Sequence, residues 1–296
     1  MPFEILAAEA KSILSPVSGF LADAGFTHSL TTARNCTFGC SYCYVPTMRI
    51  QAGLKPEDWQ RWGQRTTFKS NAAQLLGKSL RPGQVIYCSP LTDPYQPAEA
   101  GQALMPGILE TLAANPVHRA FVIQTRGPLI LRDLPLLRRI PRLRVSFTLT
   151  TDRDEIRRIF ESGCATIETR LDTMAQLTAA GIPTSAALAP ILPCNPEVLV
   201  ERALGVTNGP IVADPFHVRA VKRSGAHTRA AAHKICQHHG FMEWLEPAFH
   251  QRILQRIAAV CQEANRPFGY GPPGFGLLAG GFPLETDPVP VRVLEV

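Results

Sequence analysis

The chain has 296 residues, 45% of them hydrophobic and 18% charged, so it is long enough to bury a full core in one large domain. No run approaches the ~18 apolar residues of a membrane span, and the N-terminus lacks the basic and apolar regions of a secretory signal. Eight cysteines at irregular spacings do not form a disulfide framework, which predicts a cytoplasmic protein. The net charge of +6 permits contact with nucleic acid or another polyanion without requiring it.

Short apolar runs rich in β-branched and aromatic residues alternate with helical patterns along the chain. The predicted strands are residues 26–33, 84–89, 120–125, 144–151, 183–189 and 210–213. The predicted helices between them are residues 105–114, 131–140, 152–161 and 170–180. Repeated strand–helix units favour a parallel sheet, so the sequence predicts an α/β fold.

The chain is predicted to have three segments, and the bounds of the core enclose the strands and helices above and match the extent of the family resemblance described below. Residues 26–215 form the predicted core domain, and residues 1–25 a capping helix with an approach segment. Residues 216–296 form an extension, with one or two helices over 228–264 and then a loop-like tail. The glycines and prolines of residues 269–276 predict a flexible tail or a substrate lid.

Three cysteines, Cys36, Cys40 and Cys43, lie within eight residues directly after the first predicted strand. Three thiolates can hold three corners of a cubane iron–sulfur cluster, which normally takes four protein ligands. A metal site with an open position can bind a substrate or cofactor there. Two alternatives stay open: a zinc site with a distant fourth ligand, or a closed cluster that carries or senses electrons. The closed cluster would take its fourth ligand from this set: Cys88, Cys164 or Cys194.

The C-x3-C-x2-C spacing, with the aromatic Tyr42 before the last cysteine, resembles the signature of the radical S-adenosylmethionine (SAM) enzymes. The resemblance implies a [4Fe-4S] cluster and S-adenosyl-L-methionine as cofactors, with reductive cleavage of the latter and hydrogen abstraction from a substrate. It further implies a reductant such as flavodoxin or ferredoxin and a partial (β/α)6 barrel, to which the helical pattern after residue 215 adds a C-terminal helical extension. Gly39 would let the loop turn closely around the cluster, and Tyr42 would lie against the adenine.

Polar residues follow three more predicted strands, at 89–97, 124–127 and 148–151. Active sites of parallel barrels lie at this end of the strands. These stretches, with residues 131–134 and 160–193, resemble the spore photoproduct lyase-like subfamily over roughly residues 26–215.

Five site residues follow from that subfamily resemblance. Thr92 and Asp93 would hold the methionyl amino group, and Arg126 would lie near the cofactor carboxylate. Thr148 would also contact the cofactor, and Tyr44 would pack beside it. The chemistry suits these roles, because carboxylates and hydroxyls accept from an amino group and a guanidinium binds a carboxylate.

The sequence departs from the subfamily at the residue that donates a hydrogen atom to the product radical. The lyase uses a cysteine shortly before its Ser-Asp pair, and the corresponding residue here is Pro90. Cys88, two residues earlier, is predicted to be a buried packing cysteine. Thymine-dimer repair is therefore not predicted, and the expected substrate is nucleic acid or a comparably large molecule.

Two surface groups are predicted to be solvated rather than functional. The first is a basic patch of Arg138, Arg139, Arg142 and Arg144. The second is the helical face of His233, Cys236 and His239.

Overall fold

The computed structural model describes residues 3–48, 55–216 and 230–280. Its strands are β1 (Glu4–Ala8), β2 (Leu14–Pro16), β3 (His28–Leu30), β4 (Ala33–Arg34), β5 (Arg65–Lys69), β6 (Val85–Cys88), β7 (Ala120–Thr125), β8 (Leu143–Thr148), β9 (Thr184–Leu188), β10 (Ile211–Ala213) and β11 (Phe268–Tyr270).

The α-helices are α1 (Phe20–Asp23), α2 (Val45–Met48), α3 (Pro56–Gln60), α4 (Ala72–Ser79), α5 (Glu99–Gln102), α6 (Leu104–Ala114), α7 (Leu134–Leu137), α8 (Asp154–Phe160), α9 (Ile167–Ala179), α10 (Pro196–Leu204), α11 (Ala230–His239), α12 (Pro247–Glu263) and α13 (Gly271–Gly280). Two 3-10 helices span Pro128–Asp133 and Met242–Leu245.

The larger sheet has eight strands, in the order β11-β10-β9-β8-β7-β6-β3-β2. Neighbouring strands within this sheet run parallel, except that β2 runs antiparallel to β3. All six predicted strands are present in the predicted parallel order, although the first divides into β3 and β4. The α/β fold, with the parallel sheet of a partial barrel, is confirmed. Because both faces are covered, β6 and β9 are buried along their whole length.

The two faces of this sheet carry different layers. Helices α4, α6, α7, α9, α10 and α12 pack on the outer face and form the largest apolar core. Tyr87, Val122 and Val212 lie on the inner face and pack with residues of α13. The predicted helices after residue 228 are confirmed from residue 230 onward, as α11 and α12, and α12 joins the outer layer beside α10.

The prediction of a loop over residues 269–276 was wrong, because β11 extends the sheet and α13 follows it. Pro272 and Pro273 lie in the first turn of α13, where a missing amide proton leaves no hydrogen bond unmade. Arg144, at the start of β8, donates a hydrogen bond of 2.8 Å to the carbonyl of Leu278. Helix α13 therefore fills the inner face near the N-terminal ends of the strands, and residues 271–280 are not a substrate lid.

The predicted capping helix within residues 1–25 was also wrong. Over the described part of this segment, β1 pairs in parallel with β5 and α1 makes a single turn. Strand β5 also pairs with β4, which gives a second sheet in the order β1-β5-β4. Since β1 pairs with residues about sixty positions away, no local pattern could identify it.

Candidate functional site

The loop from residue 35 to 44 follows β4 and carries the three cysteines. Asn35 begins it with φ 68°, and its side chain accepts from Cys36 N at 2.7 Å and donates to Asp58 O at 2.6 Å. Gly39 has φ 62°, and a Cβ on Gly63 would lie 2.7 Å from Gly39 Cα. The loop is therefore turned by left-handed residues and packed backbone against backbone, as predicted for a glycine at this position.

Cys36 and Cys40 are buried, and Cys43 is half-buried. Burial raises the pKa of the Cys36 thiol, and the charge of Asp93 adds to this effect. The pKa of Cys40 is lowered, because the Cys164 thiol donates to its sulfur and Arg126 lies nearby. Arg126 Nη1 is 3.6 Å from Cys40 Sγ. One cysteine of the loop thus has two donors that favour its thiolate.

A buried charge network lies directly behind the loop. Glu161, which follows α8, accepts from the hydroxyl of Tyr42 and from the guanidinium of Arg126. Its second oxygen accepts from Arg170 Nη2 at 2.5 Å, and Glu161 and Arg170 are both fully buried. Burial opposes ionisation of Glu161, but the two arginines outweigh it and lower the pKa to about 2. The network fixes the guanidinium of Arg126 beside Cys40.

Asp93 and Thr92 follow β6 and connect two strand ends with the cysteine loop. The Asp93 carboxylate accepts from Thr125 Oγ1 at 2.6 Å and from the amides of Tyr95 and Arg126, both at 2.9 Å. Thr92 Oγ1 donates to Asn35 O at 2.9 Å. Burial raises the pKa of Asp93, and these donors oppose that shift.

The other predicted site residues lie around this centre. Thr148, at the end of β8, accepts from Gln124 Nε2 at 2.6 Å, so it reaches the neighbouring strand rather than the cysteine loop. Tyr44 donates to Pro90 O at 2.6 Å. The Tyr42 ring lies edge-on to Phe216, with centroids 6.1 Å apart. Contact of these residues with a cofactor stays a prediction.

Two buried hydroxyl groups at the strand ends, Ser89 Oγ after β6 and Thr150 Oγ1 after β8, have no hydrogen-bond partner among the described residues. A buried hydroxyl without a partner is destabilising, so such groups usually mark a bound polar molecule or water. Together with three loop cysteines and a fixed arginine, these hydroxyls fit a cluster with a polar cofactor beside it. Among the described residues, no three His, Cys, Asp or Glu side chains lie close enough to share one metal ion.

Sequence reasoning gave no role to Glu161 and Arg170, although both lie within the stretch that carries the subfamily resemblance. It considered Cys164 only as a fourth cluster ligand. Cys164 is next to the loop, with its Sγ 3.8 Å from Cys40 Sγ. Cys88 packs in the outer core, as predicted. Cys194 is half-buried and packs beside the same core.

The prediction of two solvated surface groups is confirmed in part, because Arg144 of the basic patch is half-buried and donates to Leu278 O. Arg138, Arg139 and Arg142 are exposed, and Arg142 precedes β8, so these arginines lie at the end of the sheet opposite the cysteine loop. On α11, His233 and His239 are exposed while Cys236 is buried. No helix in the described part of the chain is long and apolar enough to span a membrane.

Two protein sequences illustrate what the chain is similar to. The uncharacterized protein Rv2578c of Mycobacterium tuberculosis is 32% identical over 191 residues, which cover 62% of this chain and 54% of that protein. The uncharacterized protein MJ0683 of Methanocaldococcus jannaschii is 26% identical over 190 residues, covering 64% of this chain and 68% of that protein. The chain thus spans about half the length of the mycobacterial relative.

Solved structures of spore photoproduct lyase share the fold. A cysteine-to-serine variant has a TM-score of 0.61 at 13% identity, covering 88% of this chain and 79% of that chain. A double variant with bound AdoMet and dinucleoside spore photoproduct has a TM-score of 0.54 at 14% identity, covering 80% and 66%. The family model of the radical SAM superfamily matches residues 30–201, more than half of the chain. The chain therefore belongs to the radical SAM superfamily.

Proposed function

We propose that this protein is a radical SAM enzyme that cleaves S-adenosyl-L-methionine reductively and starts hydrogen abstraction from a substrate. The observation that carries the proposal is the C-x3-C-x2-C loop, placed at the C-terminal ends of the parallel strands and backed by the Arg126–Glu161–Arg170 network. Parallel barrels place their reactive groups at this end.

Cys36, Cys40 and Cys43 would hold three irons of a [4Fe-4S] cluster as thiolates, and the fourth iron would be left for the cofactor. When bound, the reduced cluster and S-adenosyl-L-methionine would supply a carbon radical able to take a hydrogen atom from the substrate. Arg126 places a permanent positive charge 3.6 Å from Cys40 Sγ, where it stabilises the thiolate.

Residues around the loop would bind S-adenosyl-L-methionine. Asp93 is oriented by Thr125 and two amides, so its remaining lone pairs can accept from an amino group. The hydroxyls of Thr92 and Thr148, the guanidinium of Arg126 and the rings of Tyr42 and Tyr44 complete the proposed binding set. The unpartnered hydroxyls of Ser89 and Thr150 offer two more polar groups at the same strand ends.

The proposed substrate class is nucleic acid or a comparably large molecule, and the proposed electron donor is flavodoxin or ferredoxin. Spore photoproduct lyase, which has the same fold, binds a dinucleoside. The net charge of +6 suits a polyanion, although the exposed Arg138, Arg139 and Arg142 lie away from the site. If no DNA or RNA binds even at low ionic strength, this substrate class is wrong.

A closed cluster for electron transfer or redox sensing is the alternative, and the geometry of Cys164 argues against this cysteine as its fourth ligand. Ligands of a cubane bind separate irons, which keeps their sulfurs well apart. Cys164 Sγ lies 3.8 Å from Cys40 Sγ, a distance suited to a hydrogen bond between the two sulfurs.

The test of the proposal is formation of 5'-deoxyadenosine by the anaerobically reconstituted and reduced protein given S-adenosyl-L-methionine. We expect product from the wild type and only background from Cys40→Ala, because that loop loses a cluster ligand. Cys194→Ser is the matched control, since it removes a half-buried thiol outside the loop and should retain the activity. Absence of product from wild-type protein with an intact cluster and substrate candidates would favour the electron-transfer alternative.

A further inference from the structure

We propose that Cys164 is the redox partner of Cys40, and that the two thiols close a reversible disulfide when the cluster is lost. This modification site goes beyond the proposed function. It requires neither bound S-adenosyl-L-methionine nor radical chemistry.

The two sulfurs already lie side by side. Cys40 Sγ and Cys164 Sγ are 3.8 Å apart, and the sulfurs of a disulfide are about 2.05 Å apart. Closure therefore needs an approach of roughly 1.8 Å, which side-chain rotation and a small loop adjustment can supply.

The turn that carries Cys164 is docked on the cysteine loop. Ser41 N donates to Phe160 O at 2.9 Å, and Tyr42 donates to Glu161. A Cβ on Gly163 would lie 2.6 Å from Phe38 O, so the two backbones are in direct contact. Because both segments are held against each other, Cys164 stays beside Cys40 when no metal bridges the loop.

The burial of both cysteines favours a disulfide within the chain over one with another protein. Cys40 and Cys164 are 7% and 6% exposed, which keeps thiols of other proteins away while a small oxidant can still enter. Cys88 and Cys261 lie in the outer core, away from the loop. Cys236 belongs to the same buried cluster as the loop, but the sulfur in hydrogen-bond contact with Cys40 Sγ is that of Cys164.

The oxidant in this proposal is a peroxide. One thiol attacks hydrogen peroxide, forms a sulfenic acid and releases water, and the second sulfur then displaces the hydroxyl group as a second water. The two thiols together lose two electrons and two protons, and the peroxide is reduced to two waters. The disulfide keeps Cys40 from oxidation to a sulfinic acid, which thiols cannot reverse.

The experiment uses the full-length protein, stripped of iron by a chelator and treated with hydrogen peroxide. Thiols are then alkylated and peptides are analysed by mass spectrometry. We expect a cross-link between the peptides of Cys40 and Cys164 that dithiothreitol breaks. After reduction, wild-type protein should regain its untreated iron content on reconstitution. Cys164→Ser should show Cys40 as sulfinic or sulfonic acid and recover several-fold less iron.

Cys194→Ser is the control and should behave as wild type. Cys164→Ala serves as a second variant, and thermal unfolding before peroxide treatment checks that both Cys164 variants are folded. The proposal is overturned if wild-type disulfides join only loop cysteines, or if Cys40 is overoxidised equally in wild type and both variants. Because the readout is a peptide cross-link in iron-free protein, it does not depend on 5'-deoxyadenosine formation.

Discussion

Replacement of Glu161 by alanine is expected to lower the free energy of unfolding by about 3–5 kcal/mol, the range for removing one partner of a buried ion pair. Glu161 is fully buried between Arg170 and Arg126, so the variant leaves two guanidinium groups facing each other without a counter-charge. Freed from Glu161, Arg126 no longer has a fixed position beside Cys40. We therefore expect a large loss of iron on reconstitution as well.

Urea unfolding and iron analysis measure both effects. The matched control is Glu155→Ala, which removes an exposed carboxylate paired with Arg153 and should change the free energy of unfolding by under about 0.5 kcal/mol. Equal stability and iron content in the Glu161 and Glu155 variants would show that the buried network does not support the loop.

The isosteric Glu161→Gln variant removes the charge of this side chain and keeps its shape, so the pH dependence of its unfolding isolates the effect of the charge. The pKa of Glu161 is lowered to about 2 from an ordinary 4.5, so the folded state favours the carboxylate. Its contribution to stability is complete above pH 4.5 and is lost as the pH falls towards 2. Acid unfolding should accordingly be less pH-dependent over this interval in Glu161→Gln than in wild type.

Gly163→Ala is expected to separate the turn of residues 160–164 from the cysteine loop. The new Cβ would lie 2.6 Å from Phe38 O, and the atoms it meets are backbone atoms that cannot rotate away. We expect a loss of about 1–3 kcal/mol in the free energy of unfolding, typical of overpacking. Reconstituted iron should fall too, because Phe38 lies between the proposed ligands Cys36 and Cys40.

Gly101→Ala is the control for the same chemical change. Gly101 lies in α5 and a Cβ there meets no atom within 4 Å, so alanine should be neutral or stabilising by up to about 1 kcal/mol. Denaturant unfolding and iron analysis of the two variants test whether the contact between Gly163 and Phe38 supports the cysteine loop. If Gly163→Ala has the wild-type free energy of unfolding and iron content, the cysteine loop accommodates the new methyl group and the prediction is wrong.

The parts of the fold that could be predicted are those that a local pattern determines. The runs that became β6 to β10 are mostly apolar and almost entirely buried, because a parallel sheet buries both faces. The cysteine spacing located the loop, and the strand-end rule located Thr92, Asp93 and Arg126 near it.

Other features depend on residues that are distant in sequence. Arg126 and Glu161 are 35 residues apart, and nothing local tells which carboxylate will pair with a given arginine. Helix α13 was missed because proline and glycine usually break helices, whereas here the prolines lie in its first turn. A Cβ on Gly274 would lie 2.2 Å from Gly269 C, so glycine is needed for the close approach of α13 to β11. From composition alone, the same glycines suggest a loop.

Helix α13 also determines how molecules can exchange at the proposed site. It packs against the inner face near the N-terminal ends of the strands and so covers that face at the end opposite the cysteine loop. If the proposed cofactor binds on the uncovered part of this face, beneath the proposed large substrate, it would have to arrive before that substrate and depart after it. Turnover would then follow a compulsory order, in which a substrate still held at the mouth traps the spent cofactor beneath it.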